Sequence, residues 1–117
     1  MNTEFDNFRP IYIQIIEEMK LKIVSGKYKS NEQLPSVRAL AIDFKVNPNT
    51  VQRAYSELER CGLVYTDRTN GRFVTENETL IKTLRKSLAK EKIEFFLSDM
   101  ENLGLNRNEI INYLENK

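Results

Sequence analysis

The stretch "VNPNTVQRAY", residues 46–55, sets Asn47, Pro48, Asn49 and Thr50 in a row, directly before a helical pattern. Asn47 suffices as a cap, and Pro48 suits the first helical position, where its missing N–H would lack a partner anyway. Starting the helix therefore needs none of Asn49, Thr50, Gln52 or Arg53. At ~100° per residue, Val51, Ala54, Tyr55, Leu58 and Cys61 line one narrow apolar face. Asn49, Gln52, Arg53 and Ser56 fall broadly opposite, with Arg60 behind them. Such side chains match base edges in the major groove, where arginine forks onto guanine and asparagine or glutamine onto adenine. The first turn also offers backbone N–H groups and the positive end of the helix dipole to phosphate. Taken alone, the same face is an ordinary solvated surface. Its meaning depends on its flanks.

Upstream, "SVRALAIDF" (36–44) pairs a capping Ser36 with apolar Val37, Leu40, Ala41 and Phe44, which predicts a short helix of ~9 residues. "KVN" is a tight turn, so the two helices form a helix-turn-helix. Arg38, near the start of its first helix, is placed to touch a phosphate or a groove edge. Before it, "PIYIQIIEEMKLKIVSG" predicts a helix over 10–25, with Pro10 at its first position and Tyr12, Ile15, Ile16, Met19 and Ile23 on the core side. Gly26 stops it, and "KYKSNEQLP" (27–35) reads as a polar loop.

Downstream, Gly62 ends the third helix, and "LVYTDRTNGRFVT" (63–75) carries two strand-forming runs, Leu63–Tyr65 and Phe73–Thr75. Asn70-Gly71 between them is the strongest short-range hairpin signal, since both residues tolerate positive φ. Arg68 and Arg72 flank the hairpin tip, where a minor groove or backbone could be met, and Gly71 allows close backbone approach. Cys61, on the apolar face, reads as a small buried hydrophobe, and Glu57 and Glu59 as surface charges. The fold class is mainly α with a small β-hairpin: a winged helix-turn-helix over residues 9–76, followed by a two-helix tail over 77–117.

Composition bounds the function. The chain has 117 residues, enough for one ordinary domain, or for one small domain plus an appendage. It has no histidine and one cysteine, which argues against a zinc site and removes the commonest general base. No glycine-rich phosphate loop and no telling carboxylate pair supports an enzyme, and neither metal nor cofactor is expected. No apolar run approaches the ~18 residues of a membrane span, and "MNTEFDNFRP" lacks the regions of a secretory signal, so the expected compartment is the cytoplasm. With a net charge of only +1, any nucleic-acid binding must come from local placement of charge.

The run "QLPSVRALAIDFKVNPNTVQRAYSELERCGLVYTDRTNGRFV" resembles the DNA-binding domain of the GntR family of bacterial transcription regulators. The motifs are "LPSVRALA", then "VNPNTVQRAYSELERCGLV", then an aromatic–valine pair after the wing glycine. The resemblance implies a dimer on an inverted-repeat operator, the third helix in the major groove and the wing tip in the minor groove. By motif position it implies DNA contacts for Arg38, Asn49, Thr50 and Gly71. Gln52 stands where other branches often carry arginine, and Thr69 where related sequences often carry glycine. Ser36, Asn47, Gln52, Arg53, Arg68 and Arg72 complete the expected DNA-binding set.

From Glu76 the composition turns rich in Lys, Glu and Leu. "NETLIKTLRKSLAKEKIEFFLSDMENLG" predicts one helix of ~25 residues, and "LNRNEIINYLENK" a second one capped by Asn106. A tail this short is similar to that of the YtrA-type branch of the family, commonly linked to transporter operons; the resemblance to the wider family implies release by a small metabolite. Leu84, Leu88, Ile93, Phe96, Leu97, Met100, Ile110 and Leu114 present apolar surface that two helices cannot easily cover alone. At ~1.5–3 kcal/mol per buried large apolar side chain, a two-fold dimer would cover it favourably, against the alternative of a tail folded back on its own domain. The functional expectation is a sequence-specific DNA-binding regulator. The alternative, a winged helix that docks proteins, needs an exposed apolar patch on the third helix or wing.

Overall fold

The computed structural model describes residues 5–116; residues 1–4 and 117, including the start of the N-terminal stretch read above, lie outside the described part. Three helices, α1 (Ile11–Val24), α2 (Val37–Phe44) and α3 (Pro48–Arg60), precede a hairpin of β1 (Val64–Asp67) and β2 (Gly71–Val74). Helices α4 (Glu78–Asn102) and α5 (Arg107–Glu115) follow. The chain divides into two compact units between Lys82 and Thr83, inside α4.

The first unit is built around α3, which packs against α1, α2 and β1. Its apolar stripe supplies Val51, Ala54, Tyr55 and Leu58, all fully buried. They meet a core that also contains Ile15, Met19 and Ile23 of α1, Leu40 of α2, and Leu63 and Val74 beside or within the hairpin. Each helix end follows from local chemistry. Ser36 Oγ accepts from the Ala39 amide at 3.0 Å, and Asn47 Oδ1 from the Asn49 amide at 2.8 Å. Gly62, at φ +84°, ends α3: its amide bonds Glu59 O, and the Leu63 amide bonds Leu58 O. α2 ends the same way, but Lys45 takes the left-handed position (φ 58°, ψ 49°). This residue makes the turn between the two helices.

Several expectations are corrected. Pro10 is the residue before α1, in an extended conformation, not its first helical residue. Cys61 is exposed, because the stripe ends at Leu58 and Cys61 is already the C-cap residue. The stretch 27–35 is not simply a loop: Leu34 N bonds Arg72 O, Val74 N bonds Glu32 O, and Asn31 N bonds Val74 O. Residues 31–34 thus line the free side of β2, where its unpaired backbone groups would otherwise be left for water. The hairpin turn also differs. Asp67 faces Gly71 across the strands, so Arg68, Thr69 and Asn70 form the loop and only Gly71 takes positive φ, +102°.

In the second unit, Asn106 caps α5 through a reciprocal pair with Glu109: each side chain accepts from the other residue's amide. Ile110 is buried, while Leu84, Leu88, Leu97 and Met100 are half-buried. Ile93, Phe96 and Leu114 remain exposed, as do Phe95 and Tyr113, which the sequence reading did not single out. Among the described residues no helix is long and apolar enough to cross a membrane.

Candidate nucleic-acid interface

The expected polar groups fall on three consecutive elements: the start of α2, the start of α3 and the hairpin tip. They divide into those that are already engaged and those that are not.

Ser36 and Asn47 are engaged, since their side-chain oxygens cap α2 and α3. The α3 start is also less open to phosphate than its sequence implies. Pro48 has no N–H, the Asn49 amide is taken by Asn47 Oδ1, and the Thr50 amide by Asn47 O. At α2, by contrast, the Val37 and Arg38 amides have no acceptor among the described residues. Arg38 itself is exposed, as are Asn49 and Arg68, and these three side chains, with that of half-buried Thr50, have no partner among the described residues. They are the groups free to meet a ligand.

Arg53 does not project freely. Its guanidinium lies over the Tyr12 ring at 3.8 Å and donates to the Tyr12 hydroxyl at 3.2 Å. Tyr12 is half-buried, a support for Arg53 rather than plain core. To fork onto a base, Arg53 must leave this stack, at about 0.5–1 kcal/mol for an exposed site.

Arg72 is turned back from the hairpin tip onto α3. Its Nε donates to Glu59 Oε1 at 3.0 Å, its Nη2 donates to Gln52 Oε1 at 3.2 Å, and its guanidinium carbon sits 5.1 Å from the Tyr55 ring centre. Glu59 also accepts from the Thr66 hydroxyl at 2.7 Å. It is therefore half-buried at the joint between α3 and the wing, not the surface charge expected, whereas Glu57 does pair on the helix surface, with Arg60 at 2.7 Å.

The tip is shaped by two residues that sequence reasoning missed. Asp67 Oδ1 accepts from the Thr69 and Asn70 amides at 2.9 and 3.4 Å, and Gln33 Nε2 donates to Asn70 O. The Thr69 amide is the main cause that holds the Asp67 carboxyl below its ordinary pKa. The sequence "DRTNG" carries this signal, because aspartate bonding the amide two residues on is a common turn device. Glu59 was legible too, seven residues after Gln52 on the same helix face. No local pattern announces Gln33 or Tyr12, which lie 37 and 41 residues from their partners. Below the interface, Tyr55 donates its hydroxyl to Pro35 O at 2.6 Å, and burial pushes its phenol well above the ordinary range. No buried side-chain nitrogen or oxygen among the described residues lacks a partner.

Comparison with known proteins agrees with this arrangement. The family model described as "Bacterial regulatory proteins, gntR family" matches residues 11–74. The HTH-type transcriptional regulator YhcF of Bacillus subtilis is 40% identical over 111 residues, 95% of this chain and 92% of that protein. The HTH-type transcriptional repressor YtrA of the same organism is 40% identical over 97 residues, 82% of this chain and 75% of that protein. A solved GntR family transcriptional regulator from Listeria monocytogenes superposes with a TM-score of 0.87 at 42% identity, covering 97% of this chain and 99% of that one.

Proposed function

This chain belongs to the GntR family and is a transcription regulator with a winged-helix DNA-binding domain, and on that premise we propose that it acts as a repressor, a homodimer seated on an inverted-repeat operator. The observation that carries this reading is the set of unpartnered polar groups at the start of α2, the start of α3 and the wing tip: Arg38, Asn49, Thr50 and Arg68. Asn49, Gln52 and Arg53 select bases in the major groove, Arg53 after release from Tyr12. Arg38 and the free amides of Val37 and Arg38 hold phosphate, and Arg68 and Gly71 meet the minor groove or its backbone. Two α3 helices then sit about one DNA turn apart. The sign of regulation is supported by the name of the YtrA relative, a repressor. The exposed face of α3 is polar, which does not favour the protein-docking alternative.

The tail supplies the two-fold contact in this proposal. Ile93, Phe96 and Leu114 are exposed apolar groups, and half-buried Leu84, Leu88, Leu97 and Met100 extend them, whereas buried Ile110 serves the protomer itself. The regulated genes include a transporter operon, and a small metabolite releases the DNA; the first rests on the YtrA-type resemblance and the second on the resemblance to the wider family. A reader of chromosomal operators works in the cytoplasm.

The test is selection of bound duplexes from a random pool, followed by anisotropy titration at two salt concentrations. Recovery of an inverted repeat supports the reading, and its sequence can be searched for upstream of transporter genes. Salt-sensitive binding with no enriched sequence refutes it. Light scattering tests the tail: a monomer at tens of micromolar refutes the dimer, and a dimer that persists when Leu97 and Met100 are both replaced by charged residues refutes the tail as its interface.

A further inference from the structure

Arg72 stands on the wing, yet its side chain is only 22% exposed and its guanidinium is turned onto α3. Glu59, itself tied to Thr66, fixes one edge. The Tyr55 ring centre lies 5.1 Å from the Arg72 guanidinium carbon, and Arg72 Nη2 donates to Gln52 Oε1. Arginine carries donors and no acceptor, so the atom of the Gln52 carboxamide that faces it must be the oxygen. The Gln52 amide nitrogen is thereby turned the other way, where its only partner among the described residues is a long 3.4 Å contact to Ser56 Oγ.

We propose that Arg72 is a positioning residue for base selection: anchored by Glu59, it orients Gln52 so that this side chain offers donors to the DNA. The inference rests on the proposed DNA reading by α3. In the major groove guanine shows only acceptors, O6 and N7, and thymine shows O4. Adenine pairs an acceptor, N7, with an amino donor, and that donor would approach an oxygen already bonded to a cation. Gln52 so held favours guanine or thymine over the adenine that a free glutamine matches best. Specificity at this position is then set from the wing, through a residue that touches no base.

The experiment uses the full chain and the same random duplex pool, read as a base-preference profile. Gln52→Ala identifies the position that Gln52 reads. The wild type is expected to prefer guanine or thymine there by ~10-fold, the scale of one good base contact. Arg72→Lys keeps the charge but replaces the planar fork by a flexible point donor that does not fix the Gln52 carboxamide; it is expected to lose that preference while other positions keep theirs, and to change nothing further in the Gln52→Ala background. Glu59→Ala, which leaves Arg72 present but unanchored, is expected to flatten the same position. A uniform loss of affinity across all sequences in Arg72→Lys overturns the inference, because it assigns Arg72 to phosphate or to the wing's own stability. Adenine preferred by the wild type at the Gln52 position also overturns it. A wild type that enriches no sequence overturns the DNA reading itself, and this inference with it.

Discussion

Replacing Tyr55 by phenylalanine isolates one buried hydrogen bond that ties the recognition helix to the segment before α2. Tyr55 is fully buried, and its hydroxyl donates to Pro35 O at 2.6 Å. Phenylalanine keeps the ring, the core volume and the contact with Arg72, so the loss is confined to the bond and to a carbonyl left without its donor. Such a loss costs about 1–3 kcal/mol. A second signature follows from titration. Burial raises the folded-state pKa of this phenol above its ordinary value of 10.0. The charged form is the one disfavoured by folding, so stability is fully present below pH 10 and falls as pH rises above it. By pH 11 the loss from this group is on the order of 1 kcal/mol. The Phe variant lacks this loss. Its deficit relative to the wild type should therefore shrink by on the order of 1 kcal/mol between pH 8 and pH 11. Taking the difference cancels every contribution common to both proteins. Urea denaturation at matched protein concentration, at the two pH values, measures both quantities. A deficit under about 0.5 kcal/mol at pH 8, within the range of surface substitutions, would refute the bond's contribution. A deficit unchanged at pH 11 would refute the burial argument.

Three further outcomes follow from named residues. Lys45→Gly should stabilise the protein by roughly 0.5–1 kcal/mol, because Lys45 holds a left-handed conformation that costs a side-chain-bearing residue more than glycine; destabilisation in urea would contradict this. Arg38→Ala should leave stability within about 0.5 kcal/mol, since its side chain has no partner among the described residues. It should also weaken operator binding and reduce the salt slope by about 1 if it holds one phosphate; an unchanged slope assigns it elsewhere. The Asp67 carboxyl, held below its ordinary 3.8 chiefly by the Thr69 amide, stabilises the wing tip above that value and stops doing so as pH falls through the lower folded value. An NMR titration of Asp67 should return a pKa under 3.8, with the Thr69 amide resonance moving in step, and a value at or above 3.8 shows that the tip turn does not form.

Which parts of the molecule were legible from sequence follows a physical line. The caps at Ser36 and Asn47, the glycine stop at Gly62 and the α3 stripe up to Leu58 depend on neighbours within about one or two helical turns, and the chain spells them out locally. The misreadings sit where local pattern ran out. Cys61 continued the helical spacing but fell past the end of the helix, so it gained exposure instead of burial. The segment 31–34 had no strand signal of its own and became ordered by the free side of β2, whose partner-seeking backbone groups lie some forty residues away in the chain.

The candidate site divides along the same line. By itself, the sequence determined which side chains α3 would turn outward, because a helix of 3.6 residues per turn leaves Asn49, Gln52 and Arg53 opposite a buried stripe. It also determined that a hairpin with Arg68 and Arg72 would follow. Only the tertiary structure decided which of these groups are free. Tyr12, from α1, takes up Arg53, while Glu59 and Tyr55 take up Arg72 and pass its orientation to Gln52. Helical periodicity assigns a direction to each side chain, but a long, flexible guanidinium settles on whatever acceptor or ring the packing of distant elements brings within reach.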